Sequence, residues 1–217
     1  MPGPHELNLL PERMLLPRGV GALPGAEVAA SQRGRILQAI TEQVAEGGYH
    51  ATSVQNVIRR ARVSRSAFYS AFRDKEDAFA AAHLLASEQL FDLIAAAVVA
   101  APADWSARLR AGLTAYLEGL ISAPAYAASF MVEIRAAGPR LLDQRDAVLE
   151  RHAGRLARVA HAAHREHPVR PPLSRAAIIG LTGAVDELAT REIRAGRITG
   201  LLDLVDPIME LHLAALT

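Results

Sequence analysis

Beyond residue 30, apolar side chains recur along the chain at helical spacing. Ile36, Leu37, Ile40 and Val44 share one face. Ser31 is placed to cap their helix, which runs to about Glu46 before Gly47-Gly48 stops it. Thr52 or Ser53 caps the next helix. Its buried stripe is Val54, Val57, Ile58 and Ala61, spaced i, i+3, i+4, i+7. Arg62-Val63 makes a turn, with Val63 directed into the core. Ser64 caps a third helix that buries Phe68 and Phe72 and presents Arg65, Ser66, Ala67, Tyr69 and Ser70 outward. Breaks at Pro102, Pro124, Gly138-Pro139, Pro168 to Pro172, Gly196 to Gly200 and Pro207 delimit further helices. These are predicted near 75–100, 104–122, 125–137, 139–166, 174–195 and 201–216. No alternating β-branched run lies between turns, and no internal repeat is visible, so the class is all-α.

Residues 1–30 lack this pattern. Pro2, Pro4, Pro11, Pro17, Pro24 and several glycines interrupt any period, so a flexible arm is expected there. The predicted division is an arm over 1–30, a three-helix helix-turn-helix domain over 31–76, and a helical domain over 77–217. The chain has 217 residues, 51% of them hydrophobic, so a sizeable core can form. There is no cysteine, which excludes disulfides and thiolate metal sites. The apolar run Leu93 to Ala103 is too short for a membrane span of roughly 20 residues, and no signal peptide is visible. A cytoplasmic protein with no membrane contact is expected. Net charge is only +1, but it is unevenly spread. Residues 31–75 hold eight Arg or Lys against three Asp or Glu, a net of +5, whereas 76–217 hold fourteen against seventeen, a net of −3. The positive charge lies where phosphate binding would need it.

In a helix-turn-helix, the second helix enters the major groove while the first braces it. Arg65 is the long side chain at the start of that helix and suits a bidentate contact with guanine O6 and N7. The pieces also follow in register: Gly47-Gly48-Tyr49, Thr52-Ser53-Val54, Val63-Ser64, Phe68-Tyr69, Phe72 and Asp74-Lys75-Glu76. Over residues 31–79 this resembles the TetR family of transcriptional regulators. The leader from Leu16 to Arg33 looks like that of some actinobacterial members, and one lysine against twenty-three arginines in the whole chain suits a GC-rich genome. The resemblance implies a homodimer that binds a double-stranded operator and a small-molecule effector. By position, Thr52 and Ser53 would hold phosphate, Ser64, Arg65, Ser66 and Ala67 would face bases, Tyr69 would meet the backbone, and Lys75 would grip a phosphate. The chain departs from the family at Arg62, where glycine is usual, at Ala67, which offers only a methyl, and at Ser70 and Ala71. Arg18, in the arm, is a candidate for the minor groove.

The family's C-terminal helices enclose a pocket. Trp105, Tyr116, Leu120, Phe130 and Met131 are the expected apolar walls, with Glu133, Arg135, His83 and His152 as polar points. Low aromatic content, 5%, argues against a wide aromatic-lined multidrug site and favours an aliphatic or acyl-like effector. His161, His164 and His167 lie one turn apart near a helix end, where the dipole favours histidine; no metal and no other cofactor is expected. The last two helices carry apolar stripes, Ile178, Ile179, Leu181, Val185 and Leu188 on one and Leu201 to Leu213 on the other, which fit a dimer interface. The expected function is therefore a repressor released from a palindromic operator by a small apolar effector. An effector-independent DNA-binding protein would lack an enclosed cavity. An α-helical enzyme would need a nucleophile–base pair, a phosphate loop or paired carboxylates, and none is visible.

Overall fold

A computed structural model describes residues 25–166, 168 and 171–216. Among them there are helices and turns and no strand. The sequence-predicted minor-groove candidate Arg18 and the third histidine, His167, lie outside the described residues.

Helix α1, Gly25–Gly47, begins six residues earlier than its pattern of apolar positions suggests. The proline spacing ends at Pro24, and Gly25 to Ala30 contains helix formers with Glu27 in the first turn, where it meets the positive end of the dipole. Ser31 is therefore a buried residue inside α1 rather than its cap, and the expected arm over 1–30 loses its last six residues to the helix. Ile36, Leu37, Ile40 and Val44 are all buried as one stripe.

Helices α2, Val54–Ala61, and α3, Arg65–Ala71, pack across α1. Ser53 caps α2 by accepting from Asn56 N, and Ser64 caps α3 by accepting from Ala67 N. Arg60 ties α2 to α1 through Glu42 at 2.6 Å and Glu46 at 2.6 Å. Phe68 is fully buried and Phe72 nearly so, which makes them the plugs of this small domain.

Helix α4, Lys75–Ala100, leaves the three-helix unit and runs through the second domain. Asp74 caps it. By length and composition α4 could cross a membrane, with a mean hydropathy of 1.4 in its most apolar window. In the fold it packs against α1 and against α5, Trp105–Ser122, and Glu88 and Asp92 interrupt its length. The predicted helix over 125–137 is instead three short pieces. They are α6, Pro124–Ala127, a π turn over Ala128–Val132 and a 3-10 turn over Glu133–Ala136. The remaining elements are α7, Pro139–Glu166, α8, Arg175–Arg194, a 3-10 turn over Ile198–Leu204, and α9, Val205–Leu216.

One core runs from α1 through α4 into α5, the π turn and the last 3-10 turn. A second cluster, around Trp105, Leu156, Ala160 and Ile178, joins α5, α7 and α8 at the far end.

Candidate functional site

Two sites are built on opposite ends of α4. The first is the outer surface of α2 and α3. Ser53, Arg62, Ser64, Arg65, Ser66, Tyr69 and Ser70 are exposed, and Ala67 is half-buried. Arg65 lies over the Tyr69 ring at 5.6 Å, and the Ser64 and Ser66 hydroxyls are 3.0 Å apart. Tyr69 itself is 47% exposed, held edge-on against buried Phe68. The reading helix thus has a rigid apolar back and a polar outer face.

Arg62 adopts φ 53°, ψ 48°, the left-handed conformation that glycine fills at no cost. Its backbone N–H closes α2 on Arg59 O and Ile58 O, and its carbonyl accepts from Arg35 Nη1 at 3.2 Å. The guanidinium is exposed beside the reading helix.

Two sequence-predicted phosphate contacts sit differently. Thr52 is buried, and its hydroxyl donates to Gly48 O at 2.9 Å. The hydroxyl is thereby spent on the turn after α1, so Ser53 presents the surface hydroxyl at this end. Lys75 donates from Nζ to Tyr49 O at 2.8 Å and sits 4.1 Å from the Tyr49 ring centroid. Partial burial holds its pKa below the usual lysine value. Two of the three ammonium donors remain for an outside acceptor.

The second site is a cavity of about 630 Å³, within the usual range for small-molecule sites. It follows α4 from His83 to Val99, with walls from α5, α7 and α8. Its middle is aliphatic: Leu90, Ile94, Val98, Leu109, Leu113, Val148, Leu149 and Val159. Gly112 on α5 lets the helices close, since a Cβ there would stand 3.1 Å from Val98 Cγ2. At the end remote from the helix-turn-helix, Arg108, Arg158 and Arg165 are exposed at the edge, with Glu166 among them. Arg155 lies deeper. Its guanidinium carbon is 3.9 Å from the Phe91 ring centroid, and Nη1 is buried with no hydrogen-bond partner among the described residues. Burial, and then the neighbouring Arg151 and Arg158 charges, lower its pKa from the arginine value.

The other end, nearest the helix-turn-helix, is polar and buried. Asp186 pairs with Arg145, and Arg135 stands 3.4 Å from the same carboxylate. Burial raises the Asp186 pKa against the pull of Arg145. Among the described residues the Tyr116 hydroxyl has only the Met131 thioether as partner, at 3.7 Å, and burial pushes the phenol well above its ordinary pKa. His83 and His152 are pushed down to about 4, first by burial and then by nearby arginines, so both are neutral at pH 7.

Trp105, Tyr116, Phe130 and Met131, expected as walls, line this cavity, as do His83 and His152. Leu120, Glu133 and Arg135 do not. Leu120 is turned fully into the main core. Glu133 instead bridges the two domains, accepting from Tyr49 N at 3.0 Å. Gly48, at φ 84°, allows this approach, because a Cβ would fall 3.1 Å from Glu133 Oε2. Sequence reasoning missed Arg145, Arg155 and Asp186, whose polar patterns on α7 and α8 read as solvent faces.

Tyr49 is the junction between the sites. Its ring contacts Phe79 at 5.2 Å, Phe79 contacts Phe130 at 4.9 Å, and Phe130 meets His83 and Tyr126 at 5.2 Å each. Ser129, in the same π turn as Phe130 and Met131, donates to Thr41 O of α1 at 2.7 Å. Cavity wall, π turn, Glu133 and Tyr49 therefore form one packed path to Lys75.

Residues 36–82 match the family model described as bacterial regulatory proteins, tetR family. This segment belongs to the tetR family. The tetR-type segment takes in α2, α3 and most of α1, and ends inside α4 at the residue before His83. No curated protein matches the chain. Among solved structures, the fatty acid degradation regulator FadR from Bacillus halodurans is similar, with a TM-score of 0.76 at 22% identity over 84% of this chain and 94% of that one. FadR from Bacillus subtilis, solved with stearoyl-CoA, gives 0.71 at 20% identity over 82% and 96%. The TetR family regulator PfmR from Thermus thermophilus gives 0.66 at 23% identity over 83% and 94%. At these identities the likeness is one of fold, and it extends through both domains. Residues 36–82 are thus a tetR-type segment, and the chain shares the fold of these solved regulators.

Proposed function

We propose that the protein is a homodimeric repressor whose hold on a palindromic operator is released when a long-chain amphiphile with an anionic head fills the α4 cavity. The observation that carries the effector class is the cavity itself. An aliphatic channel leads from an arginine edge, and Arg155 Nη1 is buried there without a partner among the described residues. A buried guanidinium donor lacking an acceptor is costly, and an anionic ligand group would relieve that cost. A fatty acyl thioester such as an acyl-CoA supplies both the chain and the phosphates. Similarity to a FadR solved with stearoyl-CoA supports the same class.

On the DNA side, Arg65 reads guanine, with Ser64, Ser66 and Ala67 facing neighbouring bases. Ser53, Tyr69, Ser70 and Lys75 meet the sugar-phosphate backbone, joined by Arg62. Helices α8 and α9 form the dimer contact. Gly180 and Gly183 support this, since neither would have any atom within 4 Å of an added Cβ, and Leu202 and Leu211 are exposed on neighbouring elements. Two reading helices would then enter successive major grooves about 34–36 Å apart. A chain pressing on Phe130 and Met131 shifts the π turn, and Glu133 carries that shift to Tyr49 and Lys75. A coupling of about 1–3 kcal/mol suffices to alter operator occupancy. The cytoplasm is the compartment that fits.

The test starts from DNA selected by the protein out of a random duplex library. Binding to that DNA, followed by fluorescence anisotropy, should weaken at least fivefold on adding palmitoyl-CoA and not on adding coenzyme A alone. Unchanged binding with every long-chain acyl-CoA would contradict the effector assignment.

A further inference from the structure

The end of the cavity nearest the helix-turn-helix is not built for a bare hydrocarbon tail. Gln144 Nε2 donates to Ala80 O at 2.9 Å and lies 2.8 Å from His83 Nδ1. An amide nitrogen has two hydrogens, and the first contact requires that nitrogen at this position. The second hydrogen therefore goes to Nδ1, which makes Nδ1 an acceptor. His83, neutral in its buried site, then carries its own proton on Nε2 as a donor. No described protein group accepts from Nε2. Across the same end, the Tyr116 hydroxyl has only a thioether at 3.7 Å, a weak acceptor at long range. Both residues line the cavity. Two side chains carrying neutral donors thus line one end of a channel whose middle is aliphatic.

Charge narrows the partner further. Arg145, the cation that lines this end, is paired with Asp186 and Asp146, and Arg135 behind it with Asp186 and Glu187, so both charges are already compensated. A ligand carboxylate would meet the Asp186 charge with no spare cation, whereas a neutral oxygen would accept from His83 and Tyr116 at no such cost. The distance along α4 from His83 to Val98 is about 22 Å at 1.5 Å per residue, so this polar end is separated from the arginine edge by a long aliphatic stretch.

Resting on the reading of the cavity as an acyl-thioester site, we propose that the effector's chain carries a neutral oxygen, a hydroxyl or keto group, at its end remote from the head, received by His83 Nε2 and the Tyr116 hydroxyl. An oxygenated chain is the specific ligand, and a plain saturated chain is the weaker one because it leaves both donors unpaired.

Isothermal titration of the full chain would compare saturated acyl-CoAs with their ω-hydroxy counterparts over a series of chain lengths. At the matching length the hydroxylated chain should bind roughly tenfold tighter or more, as expected where a buried site is made to bond a ligand oxygen. The Tyr116→Phe variant, with an unchanged circular dichroism spectrum, should lose most of that preference, read as the ratio of its two affinities. Equal or tighter binding of the saturated chain at every length would overturn this proposal alone. No binding by any member of either series would overturn the acyl-thioester reading beneath it, and this proposal with it.

Discussion

At the residue scale, the reading face depends on a few side chains held by a rigid back. Arg65 is the long donor at the start of α3, stacked near Tyr69 and free to reach outward. Arg65→Ala should cost about 1–3 kcal/mol against the preferred DNA and relax preference at one base position. Binding across a panel of single-base operator changes would check it, with the melting temperature unchanged. Arg62 carries opposing effects. Its left-handed backbone costs on the order of 1 kcal/mol, so Arg62→Gly should stabilise the fold by about that amount in chemical denaturation. The same change removes a cation near phosphate, so DNA affinity should fall and the salt slope should flatten by about one. The cap Ser64 and the plugs Phe68 and Phe72 were legible in the sequence because local chemistry dictates them, while the cap of α2 was legible only as Thr52 or Ser53. The inward turn of Thr52, and of Lys75 toward Tyr49, was not. Both depend on where the Gly47-Gly48-Tyr49 turn lies against α4, which no local pattern encodes.

At the element scale, the informative departure is the break of one predicted helix into α6, a π turn and a 3-10 turn. Alanine-rich sequence with a helical period gave no sign of it, because the break is enforced by tertiary contacts. Ser129 reaches α1 and Glu133 reaches Tyr49, while Phe130 and Met131 face the cavity. π turns are frequent at functional sites for this reason, since they re-aim a few side chains without ending the helix. Glu133→Ala should leave acyl-CoA affinity within about twofold while reducing its effect on DNA binding, because it removes the link rather than the cavity wall. Paired ligand and DNA titrations of the variant would show this; a loss of ligand affinity with coupling intact would argue against the relay. Helix α8 offers a separate test. Gly183→Arg places a long charged chain in the proposed dimer contact, and light scattering should then report a monomer with native helicity and weak DNA binding.

At the scale of the whole molecule, two neutral histidines lie between α4, α5 and α7. His83 and His152 have folded pKa values of about 4 against 6.5 in an exposed chain. Between these values the unfolded state binds protons that the folded state does not, so stability is full above about pH 6.5 and falls as the pH drops toward 4. At pH 5 each should cost roughly 2 kcal/mol, giving a marked fall in melting temperature between pH 7 and pH 5. His152→Phe should remove its own share, roughly 2 kcal/mol, of the loss at pH 5. The all-α architecture and the order of helices were readable from period and breaks alone. The cavity was readable only as a list of apolar candidates. Leu120 and Trp105 have the same pattern, yet one fills the core and the other lines the cavity, and only packing separates them. The arginine edge and the buried Asp186–Arg145 pair were hidden because charged residues on amphipathic helices ordinarily face water.

The central claim is that the cavity and the DNA surface share one conformational equilibrium through Phe130, Glu133 and Tyr49. Linkage makes that claim reciprocal: a ligand that weakens DNA binding must itself bind the DNA complex more weakly, by the same factor. Isothermal titration of long-chain acyl-CoA into the free protein, and into the protein saturated with its selected DNA, measures this directly. Affinity for the DNA complex should be at least fivefold lower, equal to the factor by which the ligand weakens DNA binding. Equal affinities in the two titrations would contradict the claim.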